Sequence, residues 1–199
     1  MLSDTRGRVL DAAVACLVEH GYRGTTARAV AQIGGFAPGV IYYHFSDLDD
    51  LLVAALAHTC EARATRYRTV LAGVDRAVPA VDLLRGLYQE DSDSGHIAAV
   101  QELYAGARPD TPLAAQLALE TRRWEQLAEE LLVVLLRGKP LASAVRVPVL
   151  AGAAVAFYLG TETLAHLESD TSRVTQFFDQ AARLAVLFDR IPRLRRRAP

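Results

Sequence analysis

Cysteine is scarce in this chain of 199 residues: there are only Cys16 and Cys60, both inside apolar helical patterns and neither in a CxxC or His-rich spacing. Two thiols of that kind give no disulfide framework and no thiolate metal site, and read as small buried residues in a reducing compartment. An excess of charge is lacking too. With 22 Lys and Arg against 23 Asp and Glu, the net charge is −1, which supplies no global attraction to a polyanion. The N-terminus has no uninterrupted apolar segment and carries Asp4, Arg6 and Arg8, so no signal peptide is expected. The longest apolar run, 147–160, is too short to span a bilayer, so a cytoplasmic protein with no membrane partner is expected. GxSxG, HExxH, P-loop and paired CxxC motifs are all missing, which leaves an enzyme reading without residues and gives no metal or cofactor to expect. DSDSG at 91–95 has the outline of a calcium loop, but His96 stands at its required glycine and Gly95 at a ligand position. It reads as a polar linker with Ser94 capping the next helix. Period-two alternation and internal repeats are absent as well.

What is present is a composition of 51% hydrophobic and 23% charged residues, that of an ordinary globular chain with a real core. Leu10, Ala13, Val14, Leu17 and Val18 recur at helical spacing over 5–19, and Gly21 follows as a stop. Thr25 and Thr26 are candidate caps of a short second helix with Ala29, Val30 and Ile33 inward, ended by Gly34 and Gly35. Asp47 caps a helix to about residue 71, and Pro79 opens one to 88. Another covers 97–107, Thr111 and Pro112 start one to 137, and two more cover 147–167 and 172–190. The expectation is an all-α fold of about nine helices.

The stretch GGFAPGVIYYHF, residues 34–45, puts three glycines, a proline and four aromatic residues beside His44 in twelve positions. The glycines make a tight turn. Ala37 is then a cap, Pro38 the first helical residue, and Phe36 and Ile41 a hydrophobic staple across the start of a third helix. Tyr42, Tyr43 and His44 are consecutive on that helix and cannot all face one core, so at least one or two point outward. Ala37, Pro38, Gly39 and Val40 keep the leading end small, as entry into a major groove demands.

Residues 8–52, with RVLDAAVACLVEHGYRGTT, then ARAVAQIGGFAPGVIYYHF, then SDLDDLL, resemble the DNA-binding headpiece of the tetracycline-repressor (TetR) family of bacterial transcription regulators. The GY and TT after the first helix, the glycine turn and YxHF are all in register. The resemblance implies a helix-turn-helix domain over 1–46 and a helical effector-binding and dimerisation domain over 47–199. It implies a homodimeric repressor that binds a palindromic duplex operator and is released by a small molecule. Tyr43 and His44 would donate to phosphates, and Tyr42 would lie near a base edge or the backbone. Thr25 or Thr26 would add a phosphate contact at the start of the second helix, beside or instead of plain capping. Arg28 matches a position from which relatives reach a base, and is equally a solvated surface arginine. Pro38 and Val40 could read a base only by apolar contact.

Three features depart from the family pattern. Ala37 replaces a Ser or Thr cap, and Leu48 replaces a lysine at the start of the fourth helix. Asp47, Asp49 and Asp50 put negative charge near the phosphate path. These leave open an alternative, an all-helical small-molecule-binding dimer whose headpiece has lost DNA binding. Downstream, VPVLAGAAVAFYLG at 147–160 and the last helix, with Phe177, Phe178, Leu184, Val186, Leu187 and Phe188, fit half of a four-helix dimer interface. Tyr88, Glu102, Tyr104, Trp124, Phe157, Tyr158, Glu162 and His166 are the candidates for a cavity holding an apolar or aromatic effector, being bulky or polar within aliphatic helices.

Overall fold

The computed structural model describes residues 2–168 and 170–193. Among the described residues there is no strand, and nine α-helices follow in the expected order. They are α1 (Leu2–Gly24), α2 (Ala27–Gly34), α3 (Gly39–His44), α4 (Leu48–Leu71), α5 (Ala77–Asp93), α6 (His96–Gly106), α7 (Pro112–Leu136), α8 (Val147–Glu168) and α9 (Ser172–Arg190), with a 3-10 turn at Pro140–Ser143.

Where helix ends differ from expectation, the cause is local. Gly21 does not end α1 but breaks it, with φ 67° and ψ 178°, after which the chain coils on to Gly24. Pro38 rather than Ala37 is the N-cap of α3; its φ of −54° is already helical, and no side chain caps the turn. Val40 N–H to Ala37 O at 2.9 Å and Ile41 N–H to Pro38 O at 3.1 Å close that turn instead. DSDSG is not a linker. Its Asp91 is buried and accepts from Arg63 Nη2 at 2.7 Å and Nε at 2.9 Å, so α5 continues to Asp93. Ser94 donates to Asp91 O at 3.1 Å, and the N-cap of α6 is Gly95, with no side-chain cap. The expected cap at Thr111 is in place, its hydroxyl accepting from Ala114 N–H at 3.2 Å.

By packing, the chain divides into two compact units, Met1–Arg63 with Glu90–Glu120, and Ala64–Gln89 with Thr121–Pro199. In the first, Val9, Ala13, Cys16, Val30, Ile41, Phe45, Leu51 and Ala55 close one core over α1 to α4. A second cluster in the same unit joins Leu17, Leu52, Leu56 and Cys60 to Ala99 and Leu103 of α6 and Leu113 and Leu117 of α7. Both thiols are buried within these clusters. Burial pushes the Cys16 thiol up, against the opposing hydrogen bond with Thr25, which makes it a poor nucleophile.

The second unit has its own core of Tyr67, Leu71, Leu87 and Leu127, with Trp124 set edge-on to Tyr67 at 5.0 Å. Asp189 near the end of α9 accepts from the first N–H groups of α5, Ala77 at 2.8 Å and Val78 at 3.1 Å. Lys139 in turn donates to Phe188 O and Ile191 O. A helix start and a helix end, both with unsatisfied backbone groups, are thus capped by one carboxylate and one ammonium.

The helix that contains the apolar run read at 147–160 extends to Glu168. The complete α8 is long and apolar enough, by length and composition, to cross a membrane, which corrects the expectation that it is too short. Its exposed Val149, Phe157, Leu164 and Leu167 leave an apolar face open in the single chain. In the terminal RLRRRAP, residues 194–199 lie outside the described residues, while Arg193 pairs with Asp75 at 2.9 Å.

Candidate nucleic-acid interface

The turn between α2 and α3 is fixed by hydrogen bonds at both ends of α2. At its start, Thr26 Oγ1 accepts from Ala29 N–H at 3.1 Å. At its end, Gly35 adopts φ 66°, Gly35 N–H donates to Gln32 O at 3.3 Å and Phe36 N–H to Ala31 O at 3.0 Å. This is a Schellman motif, and only a residue tolerant of left-handed φ can occupy its pivot. Phe36 then folds back so closely that a Cβ on Gly34 would lie 2.0 Å from its ring. From that pivot α3 presents two faces. Ile41 and Phe45 are buried, whereas Tyr42 is 58% and Tyr43 74% exposed. His44 is half-buried and meets the Tyr43 ring edge-on at 5.0 Å. Ala37, Pro38 and Gly39 are exposed and Val40 half-buried, so the leading end is small and open.

The two threonines separate. Thr26 is exposed, but Thr25 is 3% exposed and donates to Gly21 O at 2.8 Å. A buried hydroxyl already committed to a carbonyl does not reach a phosphate, so Thr25 is corrected to a residue that holds the break in α1. Arg28 is exposed on α2. Two further arginines reach this region. Arg8 Nη2 donates to Gly34 O at 3.4 Å, and the Arg6 guanidinium stacks over the Phe45 ring at 5.1 Å. Neither has a local sequence signal, because both come from α1. The aspartates are partly committed to the chain's own backbone. Asp47 Oδ1 accepts from Asp50 N–H at 2.8 Å, and Asp50 Oδ2 accepts from the Ser46 N–H and hydroxyl, each at 3.0 Å. Asp47 thus caps the start of α4 as expected, while the Asp50 carboxylate reaches back to Ser46. Leu48 is half-buried against both core clusters of its unit, which is a place for an apolar residue and not for a lysine.

The family model for bacterial regulatory proteins of the tetR family matches residues 9–55, from α1 through the opening of α4. Beyond it, the fold is similar to that of the transcriptional regulator FadR from Bacillus subtilis in complex with stearoyl-CoA. The TM-score is 0.71 at 16% identity, over 90% of this chain and 97% of that one. The segment that carries α2 and α3 is thus matched as a tetR-family headpiece. It is 28% identical over 114 residues to the transcriptional repressor AcnR of Corynebacterium glutamicum, covering 57% of this chain and 56% of AcnR. It is 30% identical over 87 residues to the transcriptional repressor KstR2 of Mycobacterium tuberculosis, covering 44% and 42%. The chain thus spans about half the length of the curated relatives it matches.

The eight residues expected around an effector are divided between the two units. Glu102 and Tyr104 belong to the first unit, the other six to the second. Glu102 is no cavity group: its Oε2 accepts from Tyr22 N–H at 2.7 Å. Phe157, 61% exposed, and His166, also exposed, are surface residues of α8. What the second unit does bring together is an aromatic group. Tyr88 is buried, 6.4 Å from Tyr158 and 5.3 Å from Phe178, and Trp124 meets Tyr67. Glu162 is buried in the same unit, while its neighbour by one turn, His166, is not. Phe178, expected at a dimer interface, is instead buried within its own unit, and Tyr67 escaped notice in the sequence because an aromatic residue at helical spacing reads as plain core.

Proposed function

We propose that the chain is a one-component transcription regulator, a cytoplasmic repressor that binds a palindromic operator as a homodimer and is released by a small apolar or aromatic effector. The observation that carries this reading is α3 itself, where two adjacent tyrosines stand in water while Ile41 before them and Phe45 two residues after them are buried. A monomer gains nothing by exposing two rings there, and a groove-reading helix needs outward donors beside a small leading end. Thr26, Arg28, Ala37, Pro38, Gly39, Val40, Tyr42, Tyr43 and His44 form the proposed contact surface, the functional headpiece being 1–46. The repressor names of AcnR and KstR2 support the sign of regulation, and FadR with its stearoyl-CoA supports an apolar effector. The proposed effector site in 47–199 draws on Tyr88, Trp124 and Tyr158, with Glu162 as its polar group. No membrane partner is proposed, since α8 carries a buried glutamate and its apolar face suits a second copy of the chain.

Footprinting on the DNA upstream of the protein's own gene tests the reading. A protected palindrome at low salt, lost in Tyr43→Phe combined with Arg28→Ala, is expected. No protection at any salt concentration would leave the helical small-molecule-binding dimer as the better account.

A further inference from the structure

One face of α6 is given over to α1. Gly95, Ala99, Glu102, Leu103 and Gly106 fall at positions i, i+4, i+7, i+8 and i+11, a single helical stripe. Its two ends are glycines in close approach. A Cβ on Gly95 would lie 2.8 Å from Val18 Cγ1, and a Cβ on Gly106 would lie 2.4 Å from the Tyr22 ring. Between them Ala99 and Leu103 pack with Leu17. Glu102 is the one ionisable residue in this stripe, half-buried, and it sits opposite the break in α1. Gly21, with ψ 178°, turns the following peptide out of the helical direction, and that peptide's N–H, belonging to Tyr22, is taken by Glu102 Oε2 at 2.7 Å. Glu102 Oε2 also lies 2.9 Å from where a Gly21 Cβ would be. The carboxylate therefore holds the break from α6 as a charge-assisted bond to main chain, a kind stronger and more directional than a neutral one.

We infer that Glu102 is a positioning residue for DNA recognition: by clasping the Tyr22 N–H it fixes α1, and with it the helix-turn-helix of the same unit, at one angle on α6. This rests on the reading of the chain as a dimeric DNA-binding regulator. The predicted consequence is geometric. Two headpieces held at a fixed angle select one separation of operator half-sites, because half-site spacing mirrors the dimer's own geometry. Loosening the clasp leaves the contact residues intact but widens the range of separations tolerated.

The test starts with the wild-type protein selecting duplexes from a random pool. If it enriches no palindrome, the regulator reading itself fails. Given a palindrome, wild type and variants are titrated against it with zero, one or two base pairs inserted or deleted at its centre. The readout is the affinity ratio between spacings within each protein, which does not depend on how much of a variant is folded. Wild type is expected to prefer its selected spacing by about tenfold or more, the size of one charged hydrogen bond. Glu102→Ala is expected to flatten the ratio to within about threefold. Glu102→Gln keeps a carbonyl acceptor and is expected to restore most of the preference. An Ala variant as selective as wild type, or a Gln variant as flat as the Ala one, overturns the inference and leaves the regulator reading standing. Should Glu102→Ala not fold, Glu102→Asp, one methylene too short for the clasp, is read by the same criterion.

Discussion

Tyr43 of α3 is 74% exposed, and an exposed ring contributes little to folding. Its hydroxyl is proposed to donate to a phosphate, and a neutral hydrogen bond of that kind contributes about 0.5–1.5 kcal/mol. Tyr43→Phe is therefore expected to weaken operator binding about three- to tenfold in a fluorescence titration, with an unchanged urea midpoint. The loss should be equal across operator sequences, since phosphates carry no base identity. An Asp189 substitution acts on stability instead. Burial disfavours its charge, yet the Ala77 and Val78 N–H groups, Arg76 and Lys139 outweigh that and hold its carboxyl below the usual carboxylate range. A depressed folded-state pKa contributes stability that is complete above the unfolded-state value and is lost as pH falls through the folded one. Asp189→Asn is expected to unfold at lower temperature at neutral pH and to lose less on acidification than wild type, in thermal melts run across pH.

At the scale of elements, two glycines five residues apart have opposite expected responses. Gly34 ends α2 and has the Phe36 ring where a Cβ would stand, at 2.0 Å, while Gly39 opens α3 with nothing within 4 Å. Alanine is favoured over glycine in a helix by up to about 1 kcal/mol, a gain available at Gly39. At Gly34 the same gain is overtaken by displacing a packed ring, about 1–3 kcal/mol. Urea denaturation should find Gly39→Ala neutral to stabilised and Gly34→Ala destabilised, with DNA binding lost more steeply in the second because the turn aims α3. These elements were legible in the sequence because their signals are local: the capping threonine, the glycine pivot, and the 3.6-residue spacing that puts Ile41 and Phe45 inward. What escaped depended on partners far along the chain. DSDSG looks like a linker until Arg63, 28 residues before Asp91, is brought to it. Glu102 looks like a cavity group until a break in α1, 80 residues earlier, offers it an N–H. Both are polar residues whose burial is set by which helix lies alongside, and periodicity carries no information about that.

The molecule as a whole brings little charge to a polyanion. Over residues 1–50, Arg6, Arg8, Arg23 and Arg28 stand against Asp4, Asp11, Glu19, Asp47, Asp49 and Asp50. Few neutralised phosphates mean few released counterions, so log affinity against log salt should be shallower than for a strongly basic repressor, and a steep slope would refute this. Affinity must then come from engaging both half-sites at once, which places the weight on dimerisation. Leu184, 55% exposed, and Leu187, 59% exposed, lie one turn apart on α9, and α8 adds Phe157 at 61% and Leu164 at 45%, seven residues apart on one side of that helix. An apolar surface of this kind on two neighbouring helices has the character of a core cut in half, suited to a two-fold copy of itself. Leu187→Glu removes little that is buried within a protomer, so the protomer should fold with a near-normal melting temperature. In the proposed interface it sets two like charges, one from each copy, into apolar contact. Light scattering across micromolar concentrations should then find the monomer mass, with operator affinity falling far more than Tyr43→Phe reduces it, because an entire half-site is lost rather than one hydrogen bond. A Leu187→Glu protein that stays dimeric and keeps its affinity would move the two-fold axis away from α9.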